Sequence, residues 1–258
     1  MRRWVLAVLM AFGLVTRTAL AAEDSNRADV IMRAAEDQIR IATALRGDGE
    51  LTVESPENSV RSPVVVIYRP GKAGVDVYIE LKRDGTKALI LDNGERAFRL
   101  GAGASAAEPF GGDLAFAESE FTREDLQPFR AAEVTQAQIS DESSARVTIT
   151  YVPKPSQYSL KVVTVDAERK LPLKTLYYRD TTNNMVKMRR DNNYVAVGQI
   201  WLPSEITMED FKLRTQSTLT LKWSQNPTIS AGLFDPAALA RPSGLAWPEQ
   251  QSAGGVAQ

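Results

Sequence analysis

The sequence predicts a mainly β protein of the α+β class, a half-open antiparallel β-barrel of about 11 strands with helices covering its concave face. Three observations support this prediction. One run near the N-terminus has helical periodicity, most of the remaining chain alternates apolar with polar residues, and tight-turn dipeptides separate these alternating runs. So many sequential antiparallel strands favour a strongly curved sheet, whose edges and apolar concave face need a cover. If the helices cover that face incompletely, a pocket remains.

The first 21 residues are expected to form a cleavable secretory signal. Arg2 and Arg3 precede an apolar run of about 12 residues, too short for a permanent membrane span, and a small-x-small cleavage site ends at Ala21. The chain has no cysteine that could carry a lipid anchor. We therefore expect a soluble periplasmic protein, a monomer, with one domain over residues 22–241 and a disordered tail over 242–258.

The elements follow in chain order. A 3.6-residue apolar period predicts a helix over residues 26–45, with Asn26 as N-cap and Gly47 as stop. From Val75 to Leu81 apolar residues alternate with polar ones, which predicts a strand with one buried face. Asp-Gly and Asn-Gly pairs then indicate hairpins. The predicted strands cover residues 51–54, 63–69, 75–82, 88–91, 97–100, 146–152, 158–166, 171–179, 185–190, 199–208 and 215–224.

Residues 101–127 separate the two groups of strands. They begin Gly-Ala-rich, which is typical of a mobile loop, and end acidic, which predicts a short helix. Thr122 as N-cap with Asp125 three residues on approximates a capping box, and Phe121 with Leu126 forms a hydrophobic staple. These features are first of all structural devices.

A second run near the C-terminal end repeats this pattern. Asp235 is a candidate N-cap, Pro236 occupies the first helical position, and Phe234 is placed to meet Leu239. The run predicts another short helix start.

Composition narrows the classes of function. The chain has 31 basic and 32 acidic residues, and without Arg2, Arg3 and Arg17 the balance is 28 to 32, a net charge of −4. This balance gives no electrostatic footprint for nucleic acid. Histidine and cysteine are both absent, which excludes a zinc site built from them and removes the commonest general base. We therefore expect no cofactor, no metal, no nucleic-acid partner and no enzymatic activity.

The order of several runs resembles the outer-membrane lipoprotein-sorting protein family, which is related in fold to the periplasmic carrier LolA and its receptor LolB. Residues 119–126 are similar to the family's run S-D-F-S-Y-E-D-L, with Glu120 in place of Asp and Arg123 in place of Tyr. The resemblance continues through residues 158–166, 171–174, 201–203, 208–210, 215–221 and 233–234. The resemblance implies that the family-motif residues lie at the start of a lid helix. These residues are Ser119, Glu120, Phe121, Thr122, Glu124, Asp125 and Leu126.

The resemblance implies an unclosed barrel with a helical lid over an apolar cavity, which in the family holds acyl chains of a lipid or lipoprotein in transit. A carrier of this kind needs no catalytic group, because burying apolar area itself provides affinity. The candidate lining residues are the apolar side chains of the predicted strands: Val77, Ile79, Leu81, Ile90, Leu160, Val162, Ile206, Met208, Leu219, Leu221 and Trp223. An inner-membrane lipid-exporting transporter is the partner that the resemblance implies.

Two other functions stay open at this point. The chain could be an accessory interaction protein of such a transporter, without a cargo of its own. It could also be a hydrolase, because two carboxylates suffice for glycoside hydrolysis. The candidate carboxylates for that role are Glu118, Glu120, Glu124 and Asp125.

Overall fold

The fold is a single antiparallel sheet of 13 strands that does not close on itself, which confirms the predicted half-open, mainly β architecture. The computed structural model describes residues 23–247 except 155 and 231. The predicted signal, residues 1–21, and positions 248–258 of the predicted tail lie outside the described residues. The strands are β1 (Leu45–Glu54), β2 (Ser59–Pro70), β3 (Val75–Leu81), β4 (Lys87–Leu91), β5 (Arg96–Leu100), β6 (Glu108–Pro109), β7 (Val134–Glu142), β8 (Arg146–Pro153), β9 (Leu160–Asp166), β10 (Pro172–Tyr178), β11 (Met185–Val197), β12 (Ile200–Asp210) and β13 (Thr215–Gln225).

The strand order in the sheet is β6-β5-β4-β3-β2-β1-β13-β12-β11-β10-β9-β8-β7. All eleven predicted strands are present, and β6 and β7 are the two that the sequence did not indicate. The chain divides into two compact units. Unit 1 comprises residues 23–40 with Phe129–Asp191, and unit 2 comprises Ile41–Pro128 with residues 192–247.

The N-terminal helix, α1, covers residues 23–38 and is shorter than predicted. Asn26 lies inside α1, so it is not the N-cap, and Leu45 is the first residue of β1. Gly47 does not end the helix either, because it pairs with Trp223 in the β1–β13 ladder. The misleading pair is Ile41 and Leu45: a spacing of four residues places two side chains on one side of a helix and also on one side of a strand.

In unit 1, α1 covers one face of β7, β8 and β9. The buried cluster contains Ala28, Met32 and Ala35 of α1 with Ala137, Val147, Ile149, Tyr151, Val163 and Val165 of the strands. Polar contacts fix the helix at both ends. Arg27 donates to Glu142 at 2.9 Å, and the Glu36 carboxylate accepts from the Ala131 N–H at 3.1 Å. In this unit a single helix therefore covers the sheet face, whereas the sequence predicted that several helices would cover it.

In unit 2 the strands β2 to β4 are buried on both faces, so the prediction that β3 has a single buried face is wrong. Asp76, Tyr78 and Glu80 are on the face expected to meet solvent, yet they are only 4%, 1% and 7% exposed. The reason is a segment far away in sequence. We call residues 229–247, without 231, the strap; its Leu233 and Phe234 join the cluster on this face.

The strap includes the beginning of the predicted disordered tail. Leu245 and Trp247 pack against the cluster formed by Val65, Ile67, Tyr78, Leu89, Leu91, Leu100, Leu233, Phe234 and Leu239. The Arg46 guanidinium donates to the Ala246 carbonyl. The described residues 242–247 therefore belong to the packed unit and not to a free tail. The predicted start at Asp235 is confirmed, since its carboxylate accepts from the Ala237 N–H at 3.0 Å ahead of a 3-10 turn, Pro236–Ala238.

A buried charged network fastens the strap. The Lys87 ammonium donates to the carbonyls of Leu239 at 3.1 Å and Arg241 at 2.7 Å, and lies 3.7 Å from the Glu80 carboxylate. The Tyr78 hydroxyl donates to Glu80 at 2.8 Å. Burial, and then the neighbouring Glu80 charge, raises the pKa of Tyr78 far above its usual value.

Candidate functional site

Nine of the eleven predicted lining residues lie on one face of the sheet in unit 2. The ladders set Leu81 opposite Val64, Val64 opposite Gly49, and Gly49 opposite Leu221 in one lateral row. Because residues two apart share a face, the pairing brings the others to the same side. We call this side the apolar face, and its predicted members are Val77, Ile79, Leu81, Ile90, Ile206, Met208, Leu219, Leu221 and Trp223.

The remaining two predicted residues, Leu160 and Val162, belong to unit 1. Both are half-buried, whereas their neighbours Val163 and Val165 are buried against α1. In unit 1 they therefore lie on the side of β9 opposite the helix.

The segment carrying the family motif lies on the apolar face. The Tyr68 hydroxyl, on this face beside Val77, donates to the Leu126 carbonyl at 3.4 Å. The N–H of Glu120 donates to the Ser217 hydroxyl at 2.8 Å, and the Thr215 hydroxyl donates to the Glu120 carboxylate. The motif segment therefore covers this face at β2 and β13.

Within the motif, the predicted short helix is a single turn. The Leu126 N–H donates to the Thr122 carbonyl at 3.2 Å, and the structure returns to an irregular path after Gln127. Half of the capping box forms: the Asp125 carboxylate accepts from the Thr122 N–H at 2.9 Å and from its hydroxyl at 2.7 Å. Phe121 and Leu126 are both buried, as a staple requires.

The other motif residues also have structural contacts. Ser119 donates to the Phe116 carbonyl at 2.6 Å and accepts from the Phe121 N–H at 3.2 Å. Among the four candidate carboxylates, Glu120 and Asp125 are buried and accept from threonine hydroxyls, Glu124 is half-buried, and Glu118 is exposed at 4.0 Å from Arg83. The contacts of Ser119, Glu120 and Asp125 are those of a loop that is held in place by hydrogen bonds.

A groove opens where β12 and β13 separate. Their ladder runs from Asp210–Thr215 to Glu205–Thr220, but β13 continues to Gln225 and β12 begins at Ile200. Pro203 lies in the part of β12 beyond the ladder, and a proline has no N–H to donate to a neighbouring strand. The groove has a volume of about 470 Å³, and its lining includes Val195, Val197, Gly198, Ser204, Leu221 and Trp223.

Trp223 is held from several sides. Its indole N–H donates to the Pro203 carbonyl at 2.9 Å, and its ring stacks on Tyr68 with 5.3 Å between centroids. Gly47 lies directly against the ring, since a Cβ added there would be 2.9 Å from a ring carbon. A glycine at this position is what allows the indole to lie across β1, so that the groove wall is fixed before any ligand arrives.

The groove joins an apolar wall to a polar rim. Leu221 is buried and Trp223 half-buried, while Lys222, Ser224 and Gln225 are exposed around them. Sequence reasoning found these two apolar residues but missed Val195 and Val197, because the predicted strand stopped at residue 190. The signal was present in the apolar run at 194–197, which leads into Gly198 with a φ of +68°.

Two further findings concern the described part of the chain only. Across residues 23–247, without 155 and 231, no three His, Cys, Asp or Glu side chains are grouped as a metal site would need. Over the same residues, none of the helices combines the length and the apolar character required to cross a membrane.

Comparison with known proteins gives the relationship. No curated protein matches the sequence. A putative outer membrane lipoprotein-sorting protein domain from Vibrio parahaemolyticus superposes with a TM-score of 0.75 at 15% identity, over 84% of this chain and 100% of that one. A DUF1329 family protein from Desulfovibrio piger gives 0.72 at 18% identity, over 84% and 99%. A LolA superfamily protein from Nitrosomonas europaea gives 0.62 at 13% identity, over 80% and 96%.

At these identities the solved structures establish the fold. A protein family described as an uncharacterized protein matches residues 110–241, which is more than half of the 258 residues and includes both the motif segment and the groove strands. The chain belongs to this family, and its own fold is LolA-like.

Proposed function

We propose that this protein is a periplasmic carrier or chaperone that binds an acyl chain of a lipid or lipoprotein in the groove between β12 and β13 and transports it between membranes. It is exported through the N-terminal signal, acts as a monomer and receives or delivers its cargo at an inner-membrane transporter. The observation that carries the proposal is the groove, in which Leu221 and Trp223 present a preformed apolar wall.

The dimensions and chemistry of the groove support this cargo. Its volume of about 470 Å³ is within the range of small-molecule sites, which are mostly apolar with a few polar groups at fixed places. Each methylene buried contributes about 0.8 kcal/mol, so one acyl chain supplies much of a micromolar affinity after the cost of association. The exposed Lys222 and Ser224 at the rim are placed for a polar headgroup.

The first experiment asks whether a lipid is present. The exported protein is purified without detergent, its organic extract is analysed by mass spectrometry, and a fluorescent fatty acid is added and then displaced with phospholipids and lipopeptides. Co-purified lipid or displacement is the expected result. If no lipid is extracted and nothing displaces the probe, the carrier function is wrong; a hydrolytic activity abolished by Glu120→Gln would then favour the enzyme.

The second experiment locates the site. Val195 is 39% exposed in the groove lining, so Val195→Glu places a charge there without opening a core. We expect the affinity for the fluorescent fatty acid to fall about tenfold, because a charge raises the cost of apolar burial. Leu213→Glu is the matched control, since Leu213 is 60% exposed outside the groove lining. Equal effects of the two changes would place the ligand elsewhere.

A further inference from the structure

The face of unit 1 opposite α1 is apolar and only half-buried. The ladders place Val162 opposite Leu176 and Leu176 opposite Met188, and in the next row they place Leu160 opposite Tyr178. On the other side of β9 the neighbouring Val163 and Val165 are buried against α1. We call this surface the open face; its apolar members are Leu160, Val162, Leu176, Tyr178 and Met188, all half-buried.

Basic side chains lie directly beside these apolar rows. Thr164, Lys174 and Arg190 are cross-strand neighbours in the adjoining row of the open face. The segment 129–191, the larger part of unit 1, has 11 Lys and Arg against 7 Asp and Glu, a net charge of +4, whereas the whole chain has a net charge of −1. With the net charge of −2 of residues 23–40 included, unit 1 has a net charge of +2, whereas the rest of the chain without segment 129–191 has a net charge of −5, and the positive excess lies in the segment that carries the open face.

We propose that the open face docks the protein onto the surface of an anionic lipid bilayer. Leu176 and Met188 would lie at the level of the acyl-chain boundary, and the ring of Tyr178 at the headgroup level, where an aromatic side chain with a polar end is most stable. Lys174 and Arg190 extend from the same face and meet phosphate groups, each adding attraction to a negative surface. This inference goes beyond the proposed carrier function and does not depend on what the groove binds.

The width of the open face favours an extended partner. Three neighbouring strands, β9 to β11, present these side chains from one sheet face, so the contact surface is broad. An acidic protein would satisfy the charges equally well, but the row of apolar side chains next to a row of basic ones reproduces the layers of a membrane interface. Docking of a carrier on a bilayer also has a direct use, because the cargo must leave one membrane and enter another.

Vesicle binding tests the proposal. The full exported protein is sedimented with vesicles of phosphatidylcholine alone, or of an equal mixture of phosphatidylcholine and phosphatidylglycerol. We expect binding to the mixed vesicles only, weakened by salt because exposed charges are screened. Lys174→Gln should lower the partition coefficient about fivefold, since each basic residue near an anionic surface contributes about 1 kcal/mol. Lys212→Gln, an exposed lysine in unit 2, is the matched control and should change nothing.

A second measurement locates the contact. The chain has no cysteine, so Met188→Cys and Leu213→Cys each accept a single environment-sensitive dye. A blue shift of the dye at position 188 with the mixed vesicles, and none at position 213, is the expected result. Three outcomes would overturn the proposal: no binding to either vesicle, equal binding to both, or a shift at position 213 without one at position 188. Absence of vesicle binding would leave an acidic protein as the partner of this face.

Discussion

The two units use the same antiparallel sheet differently. In unit 1, one face is buried beneath α1 and the other is half-exposed, so β8 alternates strictly between buried and partly exposed residues. In unit 2, the motif segment covers one face and the strap covers the other, so all five residues of β4 are buried. Alternation in a sequence therefore indicates two faces, but it does not say how many of them the rest of the chain will cover.

The second cover in unit 2 has a chemical consequence. β3 has polar residues on the side that the strap covers. Among them, Glu80 forms a cross-strand pair with Lys87 of β4 under the strap. Buried charges are tolerated only when they are paired and hydrogen-bonded, and the strap carbonyls provide that. The largest differences between the units should therefore appear when this pair is broken.

The first prediction removes one partner of the pair. Lys87→Ala leaves the Glu80 charge buried, and we expect the free energy of unfolding in urea to fall by about 3–5 kcal/mol. Lys212→Ala, at an exposed position of the same unit, should change it by less than about 0.5 kcal/mol. Equal small effects would mean that the strap is held by its apolar residues alone and that the charged network is incidental.

The second prediction compares matched leucines. Leu89 is fully buried in β4 of unit 2, whereas Leu176 is half-buried on the open face of unit 1. Leu89→Ala should cost about 2–5 kcal/mol of unfolding free energy because it leaves a cavity, and Leu176→Ala about 1 kcal/mol or less because solvent fills the space. If Leu176→Ala proved as costly, the open face would be covered in solution, which a urea titration at several protein concentrations would reveal as association.

The same comparison explains how far the sequence could predict the fold. Eleven strands and the 3-10 turn after Asp235 follow from local signals, namely alternation, turn dipeptides and a cap. The sequence did not indicate β7, because its side chains do not alternate regularly. Its pairing with β8 shifts register twice, and Gln136 has a φ of +53°. β6 has two residues and no readable pattern.

The site was less accessible to sequence reasoning. The ladder register gathers nine predicted residues on one face, and alternation supplies that kind of information. The cover over Asp76 and Tyr78 comes from residues more than 150 positions later, and no local pattern reports such a contact. The groove depends on where two paired strands separate. Pro203 was visible in the sequence, but the Trp223 contact that fixes its carbonyl was not.

The third prediction concerns alkaline pH. The pKa of Tyr78 is raised by burial and by Glu80, so the folded state favours the protonated hydroxyl. Its contribution is therefore complete below pH 10, the usual value, and is lost as the pH rises above it. Tyr78→Phe should cost about 1 kcal/mol at neutral pH and reduce the decline of stability above pH 10, measured by urea unfolding. Tyr178→Phe on the open face is the control; if it flattened the alkaline decline equally, the effect would not come from the strap.

The smallest effect is expected where the units are alike, at a hairpin turn in each. After β3 in unit 2, Asp84 accepts from the Thr86 N–H at 3.0 Å, and after β9 in unit 1, Asp166 accepts from the N–H groups of Glu168 at 3.0 Å and Arg169 at 2.7 Å. The Arg169 N–H bond lowers the pKa of Asp166. For Asp84, desolvation acts in the opposite direction, but the Thr86 hydrogen bonds still lower its pKa.

A lowered pKa means that each carboxylate stabilises the fold at neutral pH and loses that contribution as the pH falls below 3.8, the usual value. Asp84→Asn and Asp166→Asn should each cost about 0.5–1 kcal/mol at pH 7 and reduce the decline of unfolding free energy in acid. The two losses should be equal within error, because turns of this kind depend on local hydrogen bonds and not on what covers the sheet. A much larger loss of unfolding free energy for Asp84→Asn would show that the motif segment and the strap, which cover both faces of unit 2, also stabilise its turns.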